Sequence, residues 1–292
     1  MSNWVIDSDK NLGYETNSFG RKVLNSVLIP TLNALPSSIR PMLGRSHESA
    51  GDIIKHATTH KALEVLYGHS SAKASGNHLQ RFFKSVWLST NNSKAVRNRL
   101  KLVEREVKRE MRLLLSLGKP IKIVSVASGS SRAITESIDH VVLPPNPDLS
   151  VTFVDKNEEA IAYSKELASN HKFVANFNWV HDTAGNFFRT RPGDKKFNIV
   201  EMVGLMDYFD DQKAINIFSL IKSALDDDGI LITANIDDNF ERPFITKAVG
   251  WNMIYRSADD LAELLEKAGF SMEKMSIYYE PMKIHSVIVA RK

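Results

Sequence analysis

The sequence contains no cysteine among its 292 residues. Disulfides, thiolate metal sites and cysteine nucleophiles are therefore excluded as a basis for its chemistry. No apolar run approaches the roughly 20 residues that a membrane-spanning helix needs. The first residues, Met-Ser-Asn-Trp-Val-Ile-Asp, lack the basic and then apolar regions of a signal peptide. From these absences we expect a cytoplasmic protein without a membrane span.

The net charge of +4 conceals a strong asymmetry along the chain. Residues 1–118 hold 18 Lys and Arg against 9 Asp and Glu, whereas residues 119–292 hold 20 against 25. Such a basic region either binds an anionic partner such as nucleic acid or forms the solvated face of a helical appendage. We favour the solvated face, because no aromatic residues are interleaved with the basic ones as stacking platforms for bases.

The two parts also differ in their periodicity. Residues 1–118 show no strand pattern, and their clearest helix is expected at about 94–117, with Ser93 as its N-cap. Its apolar residues recur at intervals of three and four: Val96, Leu100, Val103, Val107, Met111 and Leu114. Further along, apolar runs typical of strands alternate with helical segments. Strands are predicted at 121–127, 151–155, 176–181, 197–203 and 229–235, and helices near 132–142, 157–170, 211–225 and 257–268.

Two more strands, 271–279 and 284–290, close the chain and must be antiparallel because only a short loop joins them. Two of the earlier strands, 121–127 and 229–235, are nearly continuously apolar, as parallel strands covered by helices on both faces are. We therefore predict an α/β fold, namely a doubly wound, mostly parallel seven-stranded sheet with an antiparallel C-terminal strand. It occupies residues 119–292 and follows an α-helical region at 1–118.

Two short segments indicate a nucleoside site. Residues 124–132 read Val-Ser-Val-Ala-Ser-Gly-Ser-Ser-Arg, a buried strand followed by a turn of small residues, and residues 151–155 read Val-Thr-Phe-Val-Asp. In a doubly wound sheet, backbone N–H groups of such a turn approach the ligand, and the acid at the next strand end binds ribose hydroxyls. The pattern predicts an adenosine-type cofactor held by Asp155, with a helix N-cap as the alternative role of that residue.

This ordered pattern resembles the class I S-adenosylmethionine-dependent methyltransferases over residues 120–292. The glycine-rich motif of that family corresponds to residues 125–132, but its usual acid is replaced by Ser125 and two of its glycines by Ala127 and Ser131. The resemblance implies S-adenosylmethionine as the cofactor. The residues implied to bind it are Arg99, Ala127, Ser128, Gly129, Ser130, Arg132, Asp155, Lys156, Asp182, Thr183, Met202, Val203 and Gly204.

Residues 91–102, 204–208 and 235–256 further resemble a bacterial methyltransferase group named for synthesis of a 3-hydroxy-fatty-acid methyl ester signal, the extracellular factor. This implies methyl transfer to an oxygen or a carboxylate of a small or lipid-like acceptor. We expect region 1–118 to cover or line the acceptor pocket. The residues expected to act in catalysis are Asp207, Tyr208, Tyr255 and Arg256, and those expected to bind the acceptor are Asn235, Asn239 and Trp251. Purely structural roles stay open for Asp207, Trp251, Tyr255 and Arg256.

No metal site is predicted, because a sulfonium methyl group is already activated and mainly needs an aligned acceptor. A cation held by Asp207 and residues 237–239 is a weak alternative, and His56 and His60 lack a third zinc ligand. His285 is expected to be structural. Two other functions stay open: RNA methylation, suggested by the basic region, and a non-catalytic interaction protein, suggested by the depleted glycine motif. The helical region also leaves a homodimer open.

Overall fold

The computed structural model describes residues 3–17, 64, 66–67, 90–190, 196–249 and 251–292. Its strands are β1 (Trp4–Ile6), β2 (Ile121–Val126), β3 (Leu149–Asp155), β4 (Phe177–His181), β5 (Phe197–Val203), β6 (Leu225–Ile236), β7 (Met275–Tyr279) and β8 (His285–Arg291). Its main helices are α1 (Asn91–Ser116), α2 (Arg132–Asp139), α3 (Glu158–Ala168), α4 (Ala184–Thr190), α5 (Asp211–Ala224) and α6 (Ala258–Lys267). A short helical turn, Arg242–Phe244, runs into a π-helical turn, Ile245–Val249.

All eight strands form one sheet in the order β1-β7-β8-β6-β5-β2-β3-β4. β8 is antiparallel to both β6 and β7, and every other pair is parallel. Helices cover both faces, with α5 and α6 over one core cluster and α1 and α2 over the other. The predicted fold class, a mostly parallel doubly wound sheet with an antiparallel C-terminal strand, is confirmed.

The eighth strand, β1, lies in the region where the sequence showed no strand pattern, so that expectation was wrong. β1 pairs with β7 in parallel, with Trp4 opposite Ile277. Its three residues are all exposed, which is why no alternation of apolar and polar residues marks it. Contacts at its end hold it in place: the Asp7 amide donates to the Tyr279 carbonyl at 2.8 Å, and the Asp7 carboxylate pairs with Arg105 of α1.

α1 brings one helix face to the sheet. Thr90, rather than Ser93, is its N-cap, and the Thr90 hydroxyl accepts from the Ser93 amide. Of the apolar stripe predicted for this helix, Val103, Val107, Met111 and Leu114 are buried in the core beneath α2. Val96 packs instead with Ile245 and Trp251, and Leu100 is only half-buried. Asn98 and Arg99 are polar and also buried. Burial of polar groups needs partners: Asn98 exchanges hydrogen bonds with the Glu15 backbone, whereas Arg99 lies where α1 crosses the carboxyl ends of β2 and β5. None of the helices that the structure describes is long and apolar enough to cross a membrane.

Candidate active site

A cavity of about 770 Å³ opens at the carboxyl ends of β2, β3 and β5. Its volume is in the range of sites that hold a small molecule or a cofactor. Twelve of the residues predicted from sequence line it: Arg99, Ala127, Gly129, Asp155, Lys156, Asp182, Thr183, Val203, Gly204, Asp207, Tyr208 and Trp251. The structure therefore brings nine of the thirteen predicted cofactor residues to one place, together with two predicted catalytic residues, Asp207 and Tyr208, and one predicted acceptor residue, Trp251.

The turn after β2 keeps the backbone shape of a glycine-rich loop despite its substitutions. Ala127, Gly129 and Ser131 all have positive φ values, of 53°, 53° and 64°. Glycine adopts such values without cost, whereas alanine and serine are strained by contact of Cβ with the backbone. The turn thus retains its close approach to the cavity at the expense of two strained residues.

Asp155 holds this turn through its carboxylate. Oδ2 accepts from the Gly129 amide at 3.0 Å and Oδ1 accepts from the Asn157 amide at 2.9 Å. The N-cap of α3 is Asn157, whose side chain accepts from the Glu159 amide, so the alternative role for Asp155 falls to its neighbour. Asp155 is only half-buried and lines the cavity. Free lone pairs of its two oxygens are therefore available to hydroxyl groups of a ligand.

Arg99 is the most buried cation in the cavity wall, at 3% exposure. It lines both the main cavity and a second one of about 50 Å³ beneath the turn. The Nε atom of Arg99 has no partner among the described residues. A buried guanidinium with an unused donor is costly unless a ligand completes its hydrogen bonds.

Glu201 on β5 also faces the smaller cavity, and the sequence reasoning missed it. It is 5% exposed and lies opposite Ser125 of β2 in the sheet register. The Ser125 hydroxyl donates to Glu201 Oε2 at 2.5 Å. Burial raises the pKa of Glu201 to about 7, although the Ser125 hydrogen bond and the charge of Arg99 both favour the ionised form. An acid in the middle of an apolar strand was the available sequence signal.

The far side of the cavity carries Asp207, Tyr208 and His285. Asp207 Oδ1 accepts from the Ile236 amide at 2.9 Å, and burial raises the pKa of Asp207 against the opposing charge of Arg99. Trp251 Nε1 donates to the Tyr208 hydroxyl at 2.5 Å, and burial raises the pKa of Tyr208. Burial, assisted by Arg99, lowers the pKa of His285 well below its usual value, so its ring is neutral.

His285 is thus placed in the cavity wall rather than only in the hairpin core. Neither of its ring nitrogens has a hydrogen-bond partner within the part of the chain that the structure describes. A buried neutral imidazole offers one donor and one acceptor to a ligand. Nothing in the local sequence pattern distinguishes this position, because its exposure to the cavity depends on how β8 packs beside β6.

Four predicted cofactor residues lie away from the main cavity. Met202 is fully buried in the core, because the alternating strand directs it to the opposite face from Glu201. Ser128, Ser130 and Arg132 line the smaller cavity instead. The Arg132 guanidinium forms an ion pair with Glu64 at 2.9 Å, so it is already neutralised. Tyr163 also donates to Glu64, at 3.0 Å.

Four predicted catalytic or acceptor residues hold loops rather than line the cavity. Arg256 is 5% exposed and donates to the Met206 and Phe209 carbonyls and to Asp211. Asn235 donates to the Ile254 carbonyl at 2.9 Å. The remaining two contact other side chains: Asn239 accepts from Asn92, and Tyr255 lies 4.3 Å beneath the Arg242 guanidinium. These four residues therefore stabilise the loops that surround the cavity, and their side chains do not line it.

The acids of the alternative cation site have separate partners. Asp237 accepts from Tyr279, and Asp238 pairs with Arg242 at 3.3 Å. Across the described ranges, no group of three or more His, Asp and Glu side chains is arranged to hold a metal ion. His56 and His60 lie outside the described residues.

Comparison with known proteins gives both a family and a fold. Residues 55–292 match the model of a family described as "Putative methyltransferase". A protein of Bordetella parapertussis, described as a possible exported protein, is similar in structure, with a TM-score of 0.68, 15% identity and coverage of 95% of this chain and 99% of that chain. No curated protein matches the sequence.

Two methyltransferase structures share the fold at lower scores. The magnesium protoporphyrin IX methyltransferase of Synechocystis PCC 6803, with bound SAH, has a TM-score of 0.52, 13% identity and coverage of 78% of this chain and 91% of that chain. The S-adenosylmethionine-dependent methyltransferase SibL has a TM-score of 0.53, 13% identity and coverage of 84% and 72%. At these identities the likeness concerns the fold alone.

Proposed function

The chain belongs to this methyltransferase family, and from that premise we propose that it transfers the methyl group of S-adenosylmethionine to a small-molecule acceptor, at an oxygen or a carboxylate. One observation carries the proposal. A single cavity joins the strained turn and Asp155, which suit an adenosine ligand, to an apolar region with a few buried polar groups.

The cofactor side of the cavity fits an adenosine group on its own geometry. Asp155 presents its carboxylate beside the turn, and Asp182 follows β4 at the neighbouring strand end. Thr183 lines the wall beside Asp182. Acids at the tips of adjacent parallel strands are the groups that bind ribose and base edges in doubly wound folds. Gly204 has a φ of 84°, and a Cβ atom at this position would lie 3.9 Å from Nη2 of Arg99.

The acceptor side supports a small or lipid-like molecule. Its apolar wall is formed by Leu66, Val96, Ile236, Ile245, Trp251 and Met253, and its polar groups include Tyr208 and His285. The cofactor supplies an activated methyl group, so the residues of the chain need to orient the acceptor and exclude water. A carboxylate acceptor needs no general base, whereas the neutral His285 suits a hydrogen bond to a hydroxyl acceptor. A fatty-acid derivative, as in the extracellular-factor group, is one acceptor of this kind.

α1 supports the proposed role of region 1–118 as part of the acceptor pocket. Asn92, Ser93, Val96 and Arg99 of this helix all line the cavity, as does Leu66. The side chain of Glu241 accepts from the Asn91 and Asn92 amides, both at 2.9 Å, and thereby fixes the start of α1 beside the acceptor loops. The division at residue 118, a homodimer and a cytoplasmic location remain predictions of the sequence.

Calorimetric titration with S-adenosylhomocysteine tests the cofactor assignment. We expect the wild-type protein to bind it, and Asp155→Ala to bind it more weakly by about 1–3 kcal/mol, the contribution of hydrogen bonds to a charged group. Asp238→Ala is the matched control, because this acid is 66% exposed and pairs with Arg242 outside the cavity. No binding to the wild-type protein would contradict the proposed function, and equal affinities for wild type and Asp155→Ala would remove Asp155 from the site.

A turnover assay with a radiolabelled methyl donor then separates the functional alternatives. Carboxylic acids of increasing chain length are the first acceptors to test, followed by phenols and alcohols. Methylation of any of these supports the proposal. Binding of S-adenosylhomocysteine without turnover on any acceptor class would favour a non-catalytic interaction protein.

A further inference from the structure

Two buried side chains of opposite charge face the small cavity of about 50 Å³ beneath the turn. Arg99 enters it from α1 and Glu201 from β5, and they are 3% and 5% exposed. The cavity is too small for a nucleoside but is adjacent to the main cavity, since Arg99, Ala127, Gly129 and Val203 line both. The small cavity is therefore a side pocket of the main cavity, next to the predicted cofactor residues.

The two charges do not neutralise each other by direct contact. Glu201 is hydrogen-bonded by Ser125, at 2.5 Å, and by the backbone of Val203. Arg99 interacts with Tyr67, and its Nε atom has no partner in the described part of the chain. Burial of an unpaired charge is expensive, and burial of two within one small cavity is more so. A ligand that carries both charges would complement both side chains at once.

The head group of an α-amino acid carries this pair of charges, an ammonium and a carboxylate on one carbon atom. Resting on the proposed function, we infer that Glu201 binds the α-ammonium group of the methionine end of the cofactor while Arg99 binds its carboxylate. The Ser125 hydroxyl orients Glu201 through its hydrogen bond. The acid that is missing at position 125 is thereby supplied from the neighbouring strand, at the position directly opposite in register.

The charged and titratable groups around Glu201 determine how this contact depends on pH. Arg99 faces it from α1, and Tyr67 from the segment that precedes α1. Arg132 of α2 borders the same cavity but is paired with Glu64. With a pKa of about 7, Glu201 is largely protonated below neutrality and ionised above it. Because an ammonium ion binds the ionised form, affinity rises as pH increases through about 7, and binding below that pH releases a proton.

The experiment compares two ligands on wild type and Glu201→Gln. S-Adenosylhomocysteine has the amino-acid head group, and 5′-methylthioadenosine shares its adenosine and sulfur but lacks that head group. We expect Glu201→Gln to weaken binding of S-adenosylhomocysteine about tenfold to a hundredfold, as for loss of a charge-assisted hydrogen bond. Binding of 5′-methylthioadenosine should stay unchanged, which also shows that the variant is folded. The rise of affinity with pH should be present in wild type and absent in the variant.

Glu106→Gln is the control for a buried carboxylate of α1 that lies outside both cavities and pairs with Arg105. It should leave both ligands unaffected. Unchanged binding of S-adenosylhomocysteine to Glu201→Gln would overturn the inference, as would an equal loss for both ligands. Failure of the wild-type protein to bind either ligand is a different result, because it would contradict the proposed function itself.

Discussion

At the residue scale, Ala127 adopts the left-handed backbone of a glycine-rich turn although it is not a glycine. A left-handed backbone costs a non-glycine residue about 1–2 kcal/mol. Ala127 has a φ of 53° and Ser131 a φ of 64°, and the Ser131 hydroxyl also accepts a hydrogen bond from Ser164 at 2.9 Å. The hydrogen bond with Ser164 offsets part of the backbone strain at Ser131. The methyl group of Ala127 makes no hydrogen bond that could offset the strain there.

We therefore expect Ala127→Gly to raise the free energy of unfolding by up to about 1 kcal/mol, because relief of strain exceeds the entropy that glycine adds to the unfolded chain. Ala162→Gly is the matched control, since Ala162 is an exposed residue within α3. It should lower the free energy of unfolding by about 1 kcal/mol. Urea denaturation of both variants measures the two effects. If Ala127→Gly lowered the free energy of unfolding as much as Ala162→Gly does, the backbone at Ala127 would not be strained.

Single residues were predictable where the local pattern defines their surroundings. Asp155 and Asp182 follow buried strands, and parallel strand ends meet at one edge, so the sequence could place them in the cavity. Glu201 and His285 were missed because their exposure to the cavities depends on register and hairpin packing. Arg132 was assigned to the cofactor from its place in the turn motif. Its actual partner, Glu64, lies 68 positions earlier in the chain. No local pattern reports such a distant contact.

At the scale of elements, the packing of α1 against α2 brings two acids together. Burial is the main cause that raises the pKa of Glu104 on α1 to about 7, and the nearby charge of Glu136 on α2 adds to it. Lys108 opposes the shift from 3.6 Å. Since the folded pKa lies above the unfolded one, Glu104 contributes stability in full below about pH 4.5, and this contribution is lost as pH rises through about 7.

Glu104→Gln should accordingly be more stable than wild type at about pH 8, by about 2 kcal/mol, and equally stable below about pH 4.5. Thermal or denaturant unfolding across this pH range measures the difference. Glu263→Gln, an exposed position on α6 that is 4.0 Å from Lys267, should show no change of this kind with pH. A constant difference between Glu104→Gln and wild type at all pH values would show that the α1–α2 contact does not titrate as described.

The elements of the sheet domain were largely readable from sequence. β2, β3 and β5 are rich in apolar residues and were placed to within two residues by the sequence. β6 begins at Leu225, four residues before the predicted strand 229–235, because the polar segment 226–228 also joins it. β1 could not be predicted from the sequence, because it has only three residues and all of them are exposed. It forms as a strand by pairing with β7, which lies about 270 residues later in the chain. The predicted strand 271–279 begins later, at Met275, because Met272–Lys274 forms a 3-10 turn. Tertiary contacts and not periodicity set these limits.

At the scale of the whole molecule, the basic excess of region 1–118 is partly neutralised within the fold. Arg97 pairs with Glu15, Arg105 with Asp7 and Glu106, and Arg109 lies 3.8 Å from Glu106. Arg99 is buried in the cavity wall. A helix whose cations are engaged in this way presents a weaker field to a polyanion than its sequence suggests.

We therefore expect no saturable binding of a labelled single-stranded RNA at about 0.15 M salt, the ionic strength at which surface charges are well screened. Fluorescence anisotropy measures this directly. Binding of S-adenosylhomocysteine serves as the positive control that the protein sample is active. A saturable isotherm whose affinity falls steeply with salt would instead favour RNA methylation, since release of counterions gives that slope.

The pairing of Ser125 with Glu201 across two strands limits which residues fit at the two positions together. The two positions lie face to face, and carboxylates at both would repel each other within a buried site. An acid at position 125 would therefore be tolerated only if position 201 were neutral, so the residues that fit at these two positions depend on each other. Ser125→Asp combined with Glu201→Ser would move the carboxylate to the neighbouring strand and keep a single acid in the small cavity.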